Sequence, residues 1–251
     1  MGVKPKIKYP RRQFFRRFLH LLSRIAFWLL ADVEIIGREN IPEDEPLLVT
    51  GNHFSFIDPV CFIRIFSWRI EFVGGAQTPH APELVKALPK TWGYYPLYRG
   101  TGAKESLRAA EEVIKQGGFL GIFPEGGSWA EILRPARPGT AYLATRTGAR
   151  ILPIGLYGLN EIFPLKWGKR PKVQFRIGKP FGPLKAKGRG RERRRQLDEF
   201  GHDIMRKIAE LLPDEKRGRY ANDPETRAAA KEFEAYPWEE KLEGEVEGEV
   251  H

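Results

Sequence analysis

The middle of the chain switches repeatedly between two hydrophobic periods, and this alternation constrains the fold more than any other feature. Short apolar runs typical of strands are separated by longer segments with helical spacing. The predicted strands are Val33–Ile36, Pro46–Thr50, Ile70–Val73, Tyr94–Tyr98, Phe119–Phe123, Ile151–Tyr157 and Lys172–Ile177. The predicted helices are Pro59–Phe66, Pro82–Leu88, Ala103–Gln116, Gly139–Thr147 and Arg194–Leu212. This order predicts an α/β fold with a mixed, largely parallel sheet flanked by helices.

The two ends of the chain differ from this middle, so we predict three regions. Residues 1–31 form an N-terminal amphipathic helix, residues 32–220 form the α/β domain, and residues 221–251 form an acidic tail that is expected to be disordered. The whole chain has a formal net charge of +10. Because acidic side chains dominate the tail, the rest of the chain is more basic than this value, which favours polyanionic partners.

The N-terminal segment from Arg11 to Trp28 interleaves arginine with phenylalanine, leucine and tryptophan. Arg16, Arg17 and Arg24 interrupt the apolar run, so the pattern does not favour a membrane-spanning helix. It is typical of an interfacial helix, whose rings enter the headgroup region while its arginines meet lipid phosphates. We therefore predict that this helix associates with an anionic membrane surface; the alternative is an amphipathic helix packed on its own domain.

Composition and spacing exclude several other classes of protein. With 41% hydrophobic and 12% aromatic residues, the chain is neither disordered, collagen-like nor a multi-span membrane protein. The single cysteine, Cys61, excludes an intramolecular disulfide framework, and no second histidine lies at ligand spacing, so no metal is expected. The basic body suggests nucleic acid as a partner, but no zinc-finger, helix-turn-helix or RNA-motif signature is present, so we do not expect it.

Residues capable of chemistry follow three of the predicted strands. His53 follows the strand Pro46–Thr50, Arg99 follows Tyr94–Tyr98, and Glu125 follows Phe119–Phe123. In α/β sheets, ligands bind beyond the carboxyl ends of the strands. We therefore expect these three side chains to approach one site.

His53 and Asp58 form a candidate catalytic pair. On a regular helix their spacing would place the side chains about 140° apart, so a turn must lie between them if they pair. The carboxylate would then fix the imidazole tautomer while the other ring nitrogen accepts a proton. The alternatives are an Asp58 helix cap before Pro59 and a His53 that is simply a satisfied polar loop residue.

No side chain of the chain is an obvious nucleophile. Cys61 lies in an apolar stretch and is interpreted as a core residue. Ser55 and Ser128 lack the strand-to-turn setting of a nucleophilic serine. A base without a protein nucleophile suggests that the substrate supplies its own, such as a hydroxyl group.

Anion recognition has candidates in Arg99, Glu125, Gly126 and Arg137. Gly126 and its neighbour permit a turn that directs backbone N–H groups toward an anion, or merely end a strand. Glu125 is interpreted as holding either a substrate hydroxyl or a neighbouring arginine. Arg99 suits bidentate phosphate binding or a surface salt bridge. Arg137 precedes a predicted helix start, where it adds a donor for an anion or is a solvated loop residue.

Four segments in this order resemble the sequence blocks of one family, the glycerolipid acyltransferases typified by 1-acylglycerol-3-phosphate acyltransferases. Asn52–Asp58 matches the His-x4-Asp (HX4D) motif, and Tyr95–Arg99 is similar to a block that ends in a substrate-binding arginine. Phe123–Gly126 matches the start of a Phe-Pro-Glu-Gly-Thr-Arg block, and Leu152–Gly155 resembles a proline-centred block. The resemblance covers residues 36 to 181.

The resemblance implies an enzyme that transfers a fatty acyl group from acyl-CoA or acyl-carrier protein to the hydroxyl of a lysoglycerophospholipid. It implies 1-acylglycerol-3-phosphate as acceptor, a role in phospholipid biosynthesis, no cofactor besides the acyl co-substrate, and a peripheral or monotopic place on the cytoplasmic face of the cell membrane. It also implies roles for five residues. His53 takes the acceptor proton, Asp58 orients His53, Arg99 holds the acceptor phosphate, and Glu125 and Gly126 shape the acceptor site.

One departure from the family pattern concerns the acceptor. The family block continues with threonine and arginine, whereas this chain has Gly127 and Ser128. Arg134 and Arg137 are candidates to replace the missing arginine, and we expect Arg137 to share acceptor recognition with Arg99. The alternatives are a different lipid hydroxyl as acceptor, an esterase that uses the same His-Asp pair on water, and an inactive membrane-binding homologue.

Overall fold

The computed structural model of the chain describes residues 9–75, 91–97, 103–162 and 168–235. The helices of this part are α1 (Gln13–Leu30), α2 (Asp58–Phe66), α3 (Ala103–Lys115), α4 (Pro138–Thr147), α5 (Gly190–Ala209) and α6 (Pro224–Ala230). The strands are β1 (Asp32–Ile36), β2 (Leu47–Gly51), β3 (Ile70–Gly75), β4 (Tyr95–Leu97), β5 (Phe119–Ile122), β6 (Arg150–Tyr157) and β7 (Lys172–Ile177). The predicted helix Pro82–Leu88 and the candidate Arg99 lie outside the described residues.

The strands form one sheet in the order β1-β7-β6-β2-β5-β3-β4. The five strands from β6 through β2, β5 and β3 to β4 run parallel to one another, whereas β7 pairs antiparallel with β6 and parallel with β1. The prediction of a mixed, largely parallel sheet flanked by helices is therefore confirmed. Every residue of β2 and β5 is buried, as expected for parallel strands covered on both faces.

Side chains of alternating residues in β2 enter two separate cores, one on each face of the sheet. Leu47 and Val49 pack in the core that includes residues of α1 and α2. Leu48 packs in the opposite core, which includes residues of α3, α4 and α5. This period-two alternation in an almost continuous apolar run holds the strand between two helical layers and fixes its register.

Helix α1 packs one face on the domain and leaves the other exposed. Its buried residues are Arg16, Ser23 and Phe27. The opposite face carries large apolar side chains that are 44 to 88% exposed; we call this set the α1 apolar face, and its members are Phe14, Phe15, Phe18, Leu21, Leu22, Ile25, Trp28 and Leu29. No helix in the described part of the chain is both long enough and apolar enough to cross a membrane.

The expectation that arginines of the N-terminal helix meet lipid phosphates does not hold for Arg16. Its side chain is fully buried, and its Nη1 and Nη2 lie 2.7 and 2.9 Å from the two carboxylate oxygens of Glu71. Arg11 also reaches Glu71, with Nη2 2.6 Å from Oε2. The reason is that Glu71 is itself buried in β3 and requires cationic partners inside the protein.

The chain remains folded beyond the predicted domain boundary at residue 220. Helix α6 lies within the segment that we expected to be disordered, so the disordered tail cannot begin at residue 221. Its start has a local signal, because Asp223 caps the helix by accepting the Thr226 N–H at 2.7 Å and Pro224 follows at the first helical position. Helix α5 also begins earlier than predicted, at Gly190 rather than Arg194.

Candidate active site

Strands β2 and β5 bring two of the predicted site segments to one edge of the sheet. They are parallel neighbours, with Thr50 opposite Ile122 near their carboxyl ends. The residues that follow them, His53 after β2 and Glu125 after β5, therefore emerge side by side. A direct hydrogen bond confirms this, since the His53 N–H donates to Glu125 Oε1 at 2.6 Å.

His53 and Asp58 pair through a turn, as the sequence predicts. Helix α2 begins at Asp58, so the two residues do not share regular helix. The Ser55 N–H donates to Asp58 Oδ2 at 2.8 Å and closes the turn. His53 Nδ1 lies 2.9 Å from the same Oδ2. Asp58 is not the helix cap, because Ile57 occupies that position.

The environment of this pair favours one imidazole tautomer. The Asp58 side chain is buried and the His53 side chain is 17% exposed. With Nδ1–H donating to Asp58, the lone pair of a neutral ring lies on Nε2. The ring stacks on Phe123, with centroids 4.4 Å apart. Burial raises the pKa of the Asp58 carboxyl above its ordinary value, and the contact with His53 opposes that rise.

Asn52 fixes the end of β2 immediately before the histidine. Its buried side chain donates from Nδ2 to the Leu156 carbonyl at 2.9 Å, and its Oδ1 accepts the Leu156 N–H at 2.7 Å. The amide thus ties the end of β2 to β6. Sequence reasoning gave Asn52 no role, although a polar amide directly after a mostly apolar strand indicates such a buried hydrogen-bonded contact.

Glu125 holds a neighbouring arginine, which is one of its two predicted roles. Arg134 Nε lies 2.8 Å from Glu125 Oε2, and both side chains are buried. The Arg134 backbone N–H also donates to Oε2, at 3.1 Å. Burial raises the pKa of the Glu125 carboxyl, while Arg134 and the His53 N–H oppose that rise. Its other predicted role, contact with substrate, stays a prediction.

Gly126 and Arg137 lie next to one another at the same edge. Gly126 adopts a φ of +80°, in the region that favours glycine, and is exposed. A Cβ placed on Gly126 would lie 3.1 Å from Cγ of Arg137, so the arginine stem borders the turn. The Arg137 N–H donates to the Pro124 carbonyl at 2.7 Å, and α4 begins at the next residue.

Two further predictions concern Cys61 and metals. Cys61 is fully buried, as expected for a core residue, and burial raises the pKa of its thiol well above the ordinary value. This setting keeps the thiol protonated and unreactive. Within the described ranges, no cluster of three or more His, Cys, Asp or Glu side chains is arranged to hold a metal ion.

The assembled site provides a base and its orienting carboxylate at the edge of the sheet where substrates bind. Arg137 borders it, and the glycine turn after Glu125 opens toward solvent. Such a site can remove a proton from a bound hydroxyl and return it to a leaving group.

Comparison with known proteins agrees with this geometry. Residues 32–157 match the model of a family described as acyltransferase. A 1-acyl-sn-glycerol-3-phosphate acyltransferase of Borreliella burgdorferi is 31% identical over 147 residues, which is 56% of this chain and 57% of that protein. One of Pseudomonas aeruginosa is 26% identical over 83% of each chain.

A solved structure extends the likeness to the fold. The crystal structure of the 1-acyl-sn-glycerophosphate acyltransferase from Thermotoga maritima has a TM-score of 0.51 and 26% identity, covering 74% of this chain and 76% of that one. The family match extends along the chain from β1 to β6 and so includes His53, Asp58 and Glu125. This chain belongs to the acyltransferase family.

Proposed function

We propose that the protein is an O-acyltransferase that moves a fatty acyl group from acyl-CoA or acyl-carrier protein to the free hydroxyl of 1-acylglycerol-3-phosphate, in phospholipid biosynthesis. The observation that carries the proposal is the His53–Asp58 pair, with 2.9 Å between Nδ1 and Oδ2 at the carboxyl edge of the sheet. The names of the relatives support the reaction class. The aligned part spans only 57% of the length of the Borreliella burgdorferi protein, so the activity is argued from the site.

The reaction follows from where the His53–Asp58 pair can accept and release a proton. His53 Nε2 accepts the proton of the acceptor hydroxyl as its oxygen attacks the thioester carbonyl. Asp58, hydrogen-bonded to Nδ1–H, stabilises the imidazolium that forms. The tetrahedral intermediate collapses with cleavage of the carbon–sulfur bond. The imidazolium then protonates the departing thiolate, so the products are an ester and a free thiol.

Recognition of the acceptor phosphate is assigned to Arg99 and Arg137. Arg137 supports this role by its place beside the Gly126 turn and at the start of α4, where backbone N–H groups favour an anion. Its planar guanidinium suits bidentate contact with phosphate oxygens. Gly126 contributes an exposed backbone with no side chain in the way. Glu125 contributes by holding the peptide that carries His53.

We also propose that the protein binds the cytoplasmic face of the cell membrane through the α1 apolar face. Soluble proteins seldom leave so many large apolar side chains exposed on one helix. Arg17 and Arg24 are exposed on the same helix and add attraction to anionic headgroups. A peripheral position of this kind would bring the lipid acceptor to the enzyme without a spanning segment.

Mass spectrometry of reaction products tests the proposed reaction. The purified chain would be offered acyl-CoA, or acyl-carrier protein, with a panel of phosphorylated and neutral lysolipids. We expect diacylated product from 1-acylglycerol-3-phosphate with either thioester donor. We expect far less product with Asp58→Asn, which keeps the shape of the side chain but removes its charge.

Two other outcomes would contradict the proposal. Release of free fatty acid without acylated lipid would identify an esterase. Preference for neutral lysolipids over phosphorylated ones would identify a different acceptor, in agreement with Gly127 and Ser128 at the positions where the family block has threonine and arginine.

A further inference from the structure

Both backbone groups of His53 are held by one buried ion pair. The His53 N–H donates to Glu125 Oε1 at 2.6 Å, and the His53 carbonyl accepts from Arg134 Nη2 at 2.8 Å. Strand β2 ends at Gly51, so the sheet ladder no longer supplies partners for this residue. The Glu125–Arg134 pair supplies hydrogen-bond partners for the His53 N–H and carbonyl instead.

The Arg134 guanidinium donates hydrogen bonds to several groups inside the protein. Nε bonds Glu125 at 2.8 Å, while Nη2 reaches the carbonyls of His53 and of Gly127, the latter at 2.6 Å. The ring of Trp129 lies against it, with 3.8 Å from Cζ to the ring centroid. Only 1% of the residue is exposed. Nη1 is buried without a hydrogen-bond partner, so no atom of the guanidinium faces solvent as a docking point for a lipid phosphate.

From these contacts we propose that Arg134 is a positioning residue of the active site, which with Glu125 fixes the backbone of His53 so that its ring stays against Asp58. The proposal rests on the function proposed above. It assigns Arg134 differently from the sequence interpretation, in which Arg134 and Arg137 are the candidates to replace the arginine that the family block has at the position of Ser128. Arg137 remains the candidate for the acceptor, and Arg134 supports the base.

The geometry explains why arginine is required here. A lysine ammonium can neutralise Glu125, but it has no rigid fork that donates to a carboxylate and to two carbonyls in fixed directions. Arg134→Lys therefore keeps the charge balance of the buried pair while losing the contact with the His53 carbonyl. Misplacement of a catalytic group by about 1 Å can cost about 10²-fold in rate.

The chain offers a matched control in Arg150. Its guanidinium also joins a carboxylate and a backbone carbonyl, with Nη1 3.0 Å from Glu45 Oε1 and Nη2 2.8 Å from the Pro180 carbonyl. It starts β6, at the opposite edge of the sheet from His53. Arg150→Lys removes the same kind of fork without touching the site.

The first experiment compares kinetics of wild type, Arg134→Lys and Arg150→Lys with a water-soluble short-chain acyl-CoA and a short-chain acceptor, below the melting temperature of each variant. We expect kcat of Arg134→Lys to fall by about 10 to 10²-fold with both KM values nearly unchanged, and Arg150→Lys to keep wild-type kinetics. A raised acceptor KM with unchanged kcat would show that Arg134 binds the acceptor and would overturn the proposal.

The second experiment does not depend on turnover, so it separates failure of this proposal from failure of the proposed function. Nitrogen–proton NMR spectra of the imidazole rings report the Nδ1–H of His53, which its bond to Asp58 protects from exchange with water. We expect this signal to be lost or exchange-broadened in Arg134→Lys and retained in Arg150→Lys. His202, whose Nδ1 lies 2.9 Å from the Tyr220 hydroxyl, serves as the internal reference. An unchanged His53 signal in a folded Arg134→Lys variant would refute the positioning role.

Discussion

The attachment of α1 to the domain yields a prediction whose size follows from the arrangement of charges. Arg16 and Glu71 are both fully buried, whereas Arg11, the second partner of Glu71, is 29% exposed. The two ends of the Arg16–Glu71 pair are therefore not equivalent. Removing Glu71 leaves a buried guanidinium without a carboxylate, but removing Arg16 leaves Glu71 with Arg11.

Breaking a buried ion pair so that one charge stays uncompensated costs about 3–5 kcal/mol. We expect this loss in the free energy of unfolding for Glu71→Gln, whose side chain keeps its shape. Arg16→Met removes hydrogen bonds to a charged group that keeps a second partner, so we expect about 1.5–3 kcal/mol. For a domain of this size, about 2–4 °C of melting temperature corresponds to each kcal/mol, so Glu71→Gln should melt about 6–20 °C lower.

The double variant Arg16→Met/Glu71→Leu tests the same reasoning with both buried charges removed. It replaces the buried charges with apolar side chains and lets the partly exposed Arg11 turn to water, so its stability should lie closer to wild type than that of Glu71→Gln. Urea unfolding followed by circular dichroism, with thermal melts in parallel, measures all three. A loss below about 1 kcal/mol for Glu71→Gln, or a larger loss for Arg16→Met than for Glu71→Gln, would refute the reasoning.

Three further predictions concern the site and the membrane helix. Because burial raises the pKa of Asp58, the folded state holds the carboxyl proton more tightly than the unfolded chain does. The free energy of unfolding of wild type relative to Asp58→Asn should therefore decrease as pH rises above about 4. An increase measured by urea unfolding would contradict this sign. Replacing Leu21 and Trp28 with glutamate should release the chain from anionic vesicles in co-sedimentation, and salt should weaken wild-type binding. Unchanged binding by the variant would show that another surface of the protein contacts the membrane. Arg137→Lys keeps the charge but loses the fork, so steady-state kinetics should show a raised acceptor KM with a nearly unchanged donor KM, and equal damage to both would indicate a structural role.

The strands and the catalytic pair were predictable because their signals are local. Apolar runs such as Phe119–Ile122 and Ile151–Tyr157 are long enough to identify buried strands, and glycines or prolines mark where they end. The His53–Asp58 spacing excludes pairing on a helix and so requires the turn that Ser55 closes. These conclusions need only a few neighbouring residues.

The buried arginines were not predictable in the same way. Arg16 belongs to a helix whose arginines the sequence alone assigns to lipid phosphates. Its partner Glu71 is far along the chain, in a strand whose burial depends on the whole sheet. Arg134 was recognised as a candidate, but its direction depends on how the segment after Glu125 folds back on the end of β2. Such long-range pairs are set by tertiary packing.

In the C-terminal segment a local signal was present, but the prediction followed the composition instead. The abundance of acidic residues favoured disorder from residue 221, yet the segment Asp223–Thr226 contains a helix cap followed by proline. The short helix also lies against the domain, with Ala230 buried. A search for caps before averaging over composition would have found its start.

The central claim is that His53 acts as the base of acyl transfer, and the rate of His53→Ala tests it most directly. The substitution keeps the backbone N–H and carbonyl that Glu125 and Arg134 hold, so the fold should survive the loss of the ring. We predict that kcat/KM for 1-acylglycerol-3-phosphate falls by about 10²–10⁴-fold while circular dichroism and melting remain those of a folded protein. Near-normal turnover by a folded His53→Ala variant would contradict the account.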